Sequence, residues 1–175
     1  MKIRWMVRRD LFAVIDIERR CYLNPWSEDD FVGCLRQRNT IGMVIEDDDE
    51  TVIGYMVYEL HKHRLLVLNI AIDPDYQRQC HGSALICYLI CKLSPDRRNR
   101  ITVDVRDGNL PAQLFFQSLG FRAVAVLKDM YADCDDDAYL MVFTIARHLC
   151  RHEAKRLSEQ LPPVSDPTAA ERGLE

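Results

Sequence analysis

Long apolar runs are missing from this sequence. A helix that crosses a membrane needs about 18 or more consecutive apolar residues, and no stretch of the 175 residues is apolar over such a length. The opening residues, MKIRWMVRRD, also lack the uninterrupted apolar segment of a secretory signal peptide. We therefore expect a cytoplasmic protein without a membrane partner.

An excess of positive charge is also missing. The chain has 23 Lys and Arg residues against 27 Asp and Glu residues, which gives a net charge of −4. Binding of nucleic acid through an overall electrostatic field requires a basic protein, so we expect no nucleic-acid partner. The seven cysteines are odd in number and form no Cys-x-x-Cys pair, which favours reduced thiols and no metal site.

Length and composition indicate one globular domain. With 175 residues, 48% of them hydrophobic, the chain can bury one substantial core. We assign residues 1–146 to this domain and residues 147–161 to a C-terminal helix. Residues 162–175 begin with two prolines and are mostly polar, so we expect them to form a disordered tail.

Short-range signals mark two helix starts and one helix end. Ser27 and Asp30 have the spacing of a capping box, in which each side chain binds the backbone N–H of the other residue. Asn109 is a typical N-cap residue, and it precedes an apolar periodic segment that ends at Gly120. These signals predict helices that begin after Ser27 and after Asn109.

The most informative stretch runs from Leu68 to Leu93. It begins with a short apolar strand that ends at Asp73-Pro74, because proline cannot donate a backbone hydrogen bond to a sheet. A polar loop and an apolar helix follow. The first N–H groups of a helix have no partner within it and lie at its positive end, so this junction is typical of a phosphate site. No Gly-Lys-Ser/Thr triplet follows the loop, which argues against a nucleoside triphosphate.

The phosphate loop carries a family resemblance. Residues Gln77–Gly82 resemble the Gln/Arg-x-x-Gly-x-Gly/Ala loop of the GNAT acetyltransferases, and the wider segment Asn69–Gln79 is similar to their RimI branch, the ribosomal-protein alanine N-acetyltransferases. Cys80 departs from the pattern, because it stands where the family has its first glycine. That glycine serves either a positive φ angle or clearance for the phosphate, and a cysteine would be costly in both cases.

A second block extends the resemblance over about residues 5–144. It consists of Val105, Arg106 and Asn109, followed by Leu119-Gly120-Phe121. The resemblance implies an α+β fold with α/β layers: a single domain whose central mixed, mostly antiparallel sheet splays at the cofactor site and is flanked by helices. It also implies acetyl-CoA as the acetyl donor, and no metal.

The resemblance further implies which residues contact acetyl-CoA. Backbone groups of the strand before the loop would polarise the thioester, the loop and helix start would hold the pyrophosphate, and an asparagine would contact the pantetheine arm. These residues are Ile70, Ala71 and Ile72 on the strand, Gln77, Arg78, Gln79, Cys80, His81, Gly82 and Ser83 in the loop and helix start, and Asn109. Phe116 completes the set from the next helix.

Two catalytic positions follow from the same resemblance. RimI-like enzymes use a glutamate before the Asn-capped helix as general base and a tyrosine on that helix as general acid, and this chain has Asp104 and Phe116 there. We expect Asp104 to act as the base through a water molecule; the alternative is a structural carboxylate that pairs with Arg106 or caps a neighbouring group. Phe116 has no proton to give, so Tyr131 is the first candidate acid and Tyr139 the second.

Acceptor chemistry favours a protein N-terminus. An α-amino group with a pKa of about 7.7–8.0 needs about 1 kcal/mol to be neutral at pH 7, whereas a lysine amine near 10.4 needs about 5 kcal/mol. A weak base without an evident acid therefore suits the N-terminus of a protein or peptide, such as a ribosomal protein. The enzyme itself is expected to be a monomer or a homodimer. Two alternatives remain: transfer to a small amine such as a polyamine or antibiotic, and a catalytically weak CoA-binding regulatory module.

Overall fold

The computed structural model describes residues 1–128 and 137–145. These residues form one layered α/β domain, in which a mixed seven-stranded sheet is flanked by four helices. The predicted fold class is confirmed. The predicted C-terminal helix, 147–161, and the predicted tail, 162–175, lie outside the described residues.

The sheet has the strand order β1-β2-β3-β4-β5-β7-β6. Neighbouring strands are antiparallel except for β4 and β5, which are parallel. The strands are β1 Lys2–Trp5, β2 Thr40–Glu46, β3 Val52–Leu60, β4 Arg64–Ile72, β5 Arg100–Arg106, β6 Arg122–Leu127 and β7 Ala138–Thr144. The helices are α1 Leu11–Cys21, α2 Glu28–Leu35, α3 His81–Ile90 and α4 Leu110–Ser118, with short 3-10 turns at Arg8–Asp10 and Pro74–Tyr76.

Each helix pair covers its own face of the sheet. Helices α3 and α4 bury apolar side chains such as Leu85, Leu89 and Phe116 against one face. Helices α1 and α2 bury Val14 and Phe31, among others, against the other face. Burial on several sides explains why α3 is apolar around most of its circumference.

The predicted helix starts are present. Asp30 Oδ2 accepts a hydrogen bond of 2.8 Å from Ser27 N, and Ser27 Oγ accepts one of 3.2 Å from Asp30 N. Asn109 Oδ1 accepts from Ala112 N at 3.1 Å. Gly120 lies just beyond α4 with a φ of 89°, a value that glycine adopts without strain.

The sheet splits between its two parallel strands. Pairing of β4 with β5 begins at Arg64 and Arg100 and ends at Val67 and Val103, although both strands continue. The register of β3 against β4 shifts at the same level, since Val57 pairs with Asn69 and Tyr58 pairs with Val67. Leu68 is therefore an extra residue in β4, a β-bulge that bends the strand. Beyond it β4 stays on β3 and leaves β5, so a cleft opens between the parallel strands.

The described helices are short. Within residues 1–128 and 137–145, no helix is long and apolar enough to span a membrane.

Candidate active site

The candidate site is the cleft between the diverging ends of β4 and β5. Its volume is about 660 Å³, within the usual range of ligand sites. One side, which we call the β4 wall, is formed by residues 68–72, 76–78 and 80–83. The other side, the β5 wall, consists of residues 103–116, and the end of α1 with the loop up to Trp26 closes the cleft from a third side.

The β4 wall presents a free strand edge to the cleft. The carbonyl oxygen of Ile70 accepts a hydrogen bond of 2.6 Å from Tyr22 Oη, and that of Ile72 accepts one of 3.0 Å from Gln77 Nε2. The N–H and C=O groups of one strand residue point to the same side. The N–H groups of Ile70 and Ile72 therefore also face the cleft, whereas the backbone of Ala71 is directed towards β3.

Helix α1 holds this strand edge and the loop that follows it. Cys21 Sγ donates to the Ile72 carbonyl at 3.3 Å, and burial raises the pKa of this thiol to about 11, so it stays protonated. Arg20 contacts Asp73 Oδ2 at 2.5 Å and Asp75 Oδ2 at 2.8 Å. The start of the loop is thus fixed to the last turn of α1.

The phosphate loop has two residues in the left-handed region. Arg78 has a φ of 61° and Cys80 a φ of 65°. The αL conformation explains why the family has a glycine at the position of Cys80, since a residue with a Cβ atom is strained there by roughly 1–2 kcal/mol. Two reasons were considered for that glycine, a positive φ angle and clearance for the phosphate. The backbone of Cys80 agrees with the first.

Helix α3 directs its first N–H groups into the cleft. Its first backbone hydrogen bond runs from Ala84 N to Cys80 O at 2.9 Å, so the N–H groups of His81, Gly82 and Ser83 precede the helical ladder. A Cβ atom on Gly82 would lie 3.3 Å from Cζ of Phe115. Glycine therefore lets α3 pack closely against α4 while the N–H groups stay open.

Asp104 is the acidic side chain that lines the cleft from the β5 wall. It is half-buried, and its Oδ1 has no hydrogen-bond partner within residues 1–128 and 137–145. Burial raises the pKa of the Asp104 carboxyl, and the charge of Arg64 partly opposes this. Within the same residues Asp104 forms no ion pair. These properties suit a general base better than a structural partner for a cation.

Helix α4 supplies the remainder of the β5 wall. Asn109 lines the cleft, and its side-chain oxygen Oδ1 caps the N-terminus of α4. Phe116 also lines it, although the side chain is only 3% exposed, and its ring packs 5.1 Å from those of Phe115 and Phe121. Phe116 thus shapes the wall without offering a polar group.

Most residues predicted for the site line the cleft, and two do not. Gln79 is not among the lining residues, and its Nε2 donates to the Asp75 carbonyl at 3.4 Å. Tyr139 lines a separate cavity of about 500 Å³ beside α4. It pairs with Val105 while Asp104 pairs with Leu140, so Tyr139 and Asp104 point to opposite faces of the sheet. Tyr139 is thus not among the residues that line the cleft, and Tyr131 lies outside the described residues.

Helix α1 and the loop after it contribute residues to the cleft that were not predicted from the sequence. Glu18, Cys21, Tyr22 and Asn24 all line the cleft. Glu18 lies one helical turn after Val14 on the apolar side of α1 and is itself buried. A charged residue within an apolar stripe is the signal that could have identified it.

Comparison with known proteins agrees with this geometry. The model of the Acetyltransferase (GNAT) family matches residues 11–121. Ribosomal protein bS18-alanine N-acetyltransferase of Escherichia coli K12 is 30% identical over 139 residues, which cover 78% of this chain and 93% of that protein. A protein of Bacillus subtilis 168, named a putative enzyme of the same kind, is 29% identical over 145 residues. These cover 82% of this chain and 95% of that protein.

Solved structures show the same architecture. The crystal structure of the ribosomal-protein-S18-alanine N-acetyltransferase from Escherichia coli has a TM-score of 0.72 at 28% identity and covers 85% of this chain and 98% of that chain. Ard1 from Thermoplasma volcanium has a TM-score of 0.74 at 22% identity and covers 83% of this chain and 98% of that chain. At this identity the similarity supports the fold alone. The chain therefore belongs to the GNAT acetyltransferase family, with relatives in its RimI branch, and is an acetyl-CoA-dependent N-acetyltransferase.

Proposed function

We propose that the enzyme acetylates the α-amino group of a protein N-terminus. The observation that carries this proposal is the half-buried carboxylate of Asp104, whose Oδ1 has no hydrogen-bond partner among residues 1–128 and 137–145 and which lines the same cleft as the free edge of β4. The names of the relatives in Escherichia coli and Bacillus subtilis support it, since both describe transfer to the alanine of a ribosomal protein. Ribosomal protein bS18 is accordingly the first acceptor to test.

The residues present fit acetyl-CoA. The N–H groups at the start of α3 and the αL loop before it would hold the pyrophosphate, as helix N-termini hold anions elsewhere. The N–H groups of Ile70 and Ile72 would hydrogen-bond the acyl arm, and Asn109 would contact the pantetheine. Acetyl-CoA, when bound, supplies the thioester whose acetyl group is transferred.

Asp104 would handle the proton of the acceptor. A nucleophilic amine must be neutral, and an α-amine is already close to neutral at pH 7. Asp104, with a raised pKa, would accept the proton that the amine loses, directly or through one water molecule. The N–H groups of Ile70 and Ile72 would stabilise negative charge on the carbonyl oxygen, as oxyanion donors do.

The departing thiol needs less assistance than the amine. A thiol pKa of about 8.5 makes the thiolate a tolerable leaving group, so Phe116 in place of the family's tyrosine slows the reaction without preventing it. Tyr131 stays the proposed proton donor.

The test is a comparison of three acceptors. The enzyme is incubated with acetyl-CoA and a peptide that carries the first residues of bS18, the same peptide with a blocked N-terminus and an internal lysine, or spermidine. We expect acetylation of the free N-terminus only, which tandem mass spectrometry locates. Faster transfer to lysine or spermidine would contradict the proposal, and CoA binding without turnover on any acceptor would favour a regulatory module.

A further inference from the structure

Glu18 is a buried carboxylate for which the reaction described above has no use. It lies in the last turns of α1, is 1% exposed, and contributes to the lining of the cleft. Its Oε1 accepts hydrogen bonds from Trp26 N at 2.8 Å and from Asn69 Nδ2 at 3.1 Å. Its Oε2 contacts the hydroxyl of Tyr55. Burying a carboxylate is costly even when neutral groups hydrogen-bond to it. The position of Glu18 therefore calls for an explanation.

The three side chains form a closed triangle. Tyr55 Oη also lies 3.0 Å from Asn69 Oδ1, so Glu18, Tyr55 and Asn69 each contact the other two. Burial raises the pKa of Tyr55, and its hydroxyl therefore keeps the proton. All three residues are buried, and removing one would leave polar groups unsatisfied away from water.

The triangle holds β4 at the point where it leaves β5. Asn69 directly follows the bulged residue Leu68 and directly precedes Ile70, whose N–H group faces the cleft. Tyr55 pairs with Ala71 across β3 and β4. Glu18 thus ties α1 to the strand segment that presents the Ile70 and Ile72 N–H groups. Through Trp26 N it also fixes the loop between α1 and α2 beside the same cleft.

We propose that Glu18 is a positioning residue for acyl transfer, which fixes through Asn69 the strand whose N–H groups polarise the thioester carbonyl. The inference rests on the proposed function and adds a residue of α1 to the machinery. A displacement of about 1 Å at such donors costs about 100-fold in rate. The groups proposed for the pyrophosphate of CoA lie in the loop and at the start of α3, and within residues 1–128 and 137–145 the hydrogen bonds of Glu18 go to other residues.

Two variants test the role of the hydrogen bonds. Glu18→Ala removes all three contacts, and we expect kcat to fall by about 100-fold while the Kd for CoA changes by less than about three-fold. Glu18→Gln can keep the triangle: its Oε1 accepts from Asn69 and Trp26, its Nε2 donates to Tyr55 Oη, and Tyr55 donates to Asn69 Oδ1. We therefore expect Gln to restore kcat to within about three-fold of the wild type.

A matched control separates positioning from stability. Asp10 lies at the other end of α1, is buried, and forms an ion pair with Arg4 at 2.6 Å. Asp10→Asn should lower Tm as Glu18→Ala does, yet leave kcat unchanged at temperatures well below Tm. Equal kcat losses in both variants would overturn the inference, and so would a Glu18→Gln variant as slow as Glu18→Ala.

A readout without turnover keeps this test apart from the proposed function. In ¹H–¹⁵N spectra, the amide resonances of Ile70 and Ile72 should shift in Glu18→Ala and stay near their wild-type positions in Glu18→Gln and Asp10→Asn. Unshifted resonances in Glu18→Ala would overturn the inference. If the wild type fails to acetylate any N-terminal peptide, the proposed function fails while these spectra still decide the role of Glu18.

Discussion

The two walls of the cleft are built on different principles. The β4 wall offers mainly backbone groups, which are the free edge at Ile70 and Ile72 and the N–H groups at the start of α3. The β5 wall offers side chains, above all Asp104 and Phe116. In the proposed function, donor binding depends mainly on the first wall and proton transfer on the second.

This difference explains which departures from the family pattern the protein tolerates. Every residue except proline has the same N–H group, so Cys80 can replace a glycine if the strained αL conformation is maintained. Proton transfer has no backbone substitute, so with Phe116 in place of tyrosine another side chain must supply the proton, and Tyr131 is the one proposed. Side-chain substitutions should therefore have small effects on activity in the β4 wall and large effects on activity in the β5 wall.

The largest effect is expected at Asp104. Asp104→Asn removes the proposed base and should lower kcat by about 10²–10⁴-fold, whereas Asp104→Glu keeps a carboxylate and should retain most of the activity. The wild-type rate should fall as the pH drops through the raised pKa of Asp104, because only the ionised form accepts a proton. Measurement of kcat against pH for the three proteins checks this, and an unchanged profile in Asp104→Asn would assign Asp104 a structural role.

Restoring the missing hydroxyl should have the next largest effect. Phe116→Tyr places a proton donor on the β5 wall, and we expect kcat to rise by about tenfold, less than a fully positioned acid supplies. Phe115→Tyr adds the same group one residue earlier and is the control. Similar gains in both variants would show that polarity, and not position, limits the rate.

A smaller effect is expected on the β4 wall. Cys80→Gly relieves the αL strain, so it should stabilise the protein by roughly 1 kcal/mol and tighten CoA binding by less than about tenfold. Cys80→Ala removes the thiol but keeps the strain. Thermal unfolding and calorimetric titration with CoA separate the two causes: a gain in affinity shared by Ala and Gly comes from clearance, and a gain confined to Gly comes from the backbone.

The smallest effect concerns stability at Asp104. Because burial raises its pKa in the folded state, the contribution of this carboxyl to stability is present at acid pH and is lost as the pH rises through that value. Asp104→Asn should therefore raise Tm at neutral pH by about 1–2 °C, opposite in sign to its effect on kcat. The gain should vanish below the ordinary aspartate pKa, and a Tm that falls equally at both pH values would contradict this account.

Short-range signals in the sequence predicted much of the fold and of the β4 wall. Pro74 ended a strand, Asn109 began a helix, and the loop at Cys80 indicated a phosphate site, because turns and helix caps depend on residues three or four positions apart. The same signals, with the family resemblance, brought Asp104, Asn109 and Phe116 to one wall. They did not predict the direction of the Gln79 side chain, which depends on the path of the whole loop.

What the sequence by itself determined is the set of elements and the chemical types available at the cleft. Only the tertiary structure decided how the sheet divides between β4 and β5, which face Tyr139 occupies, and that Glu18 meets Tyr55 and Asn69 from 37 and 51 positions away. The physical reason is that strand register and burial depend on packing between distant segments. A buried polar residue therefore reveals its partners only when those segments are brought together.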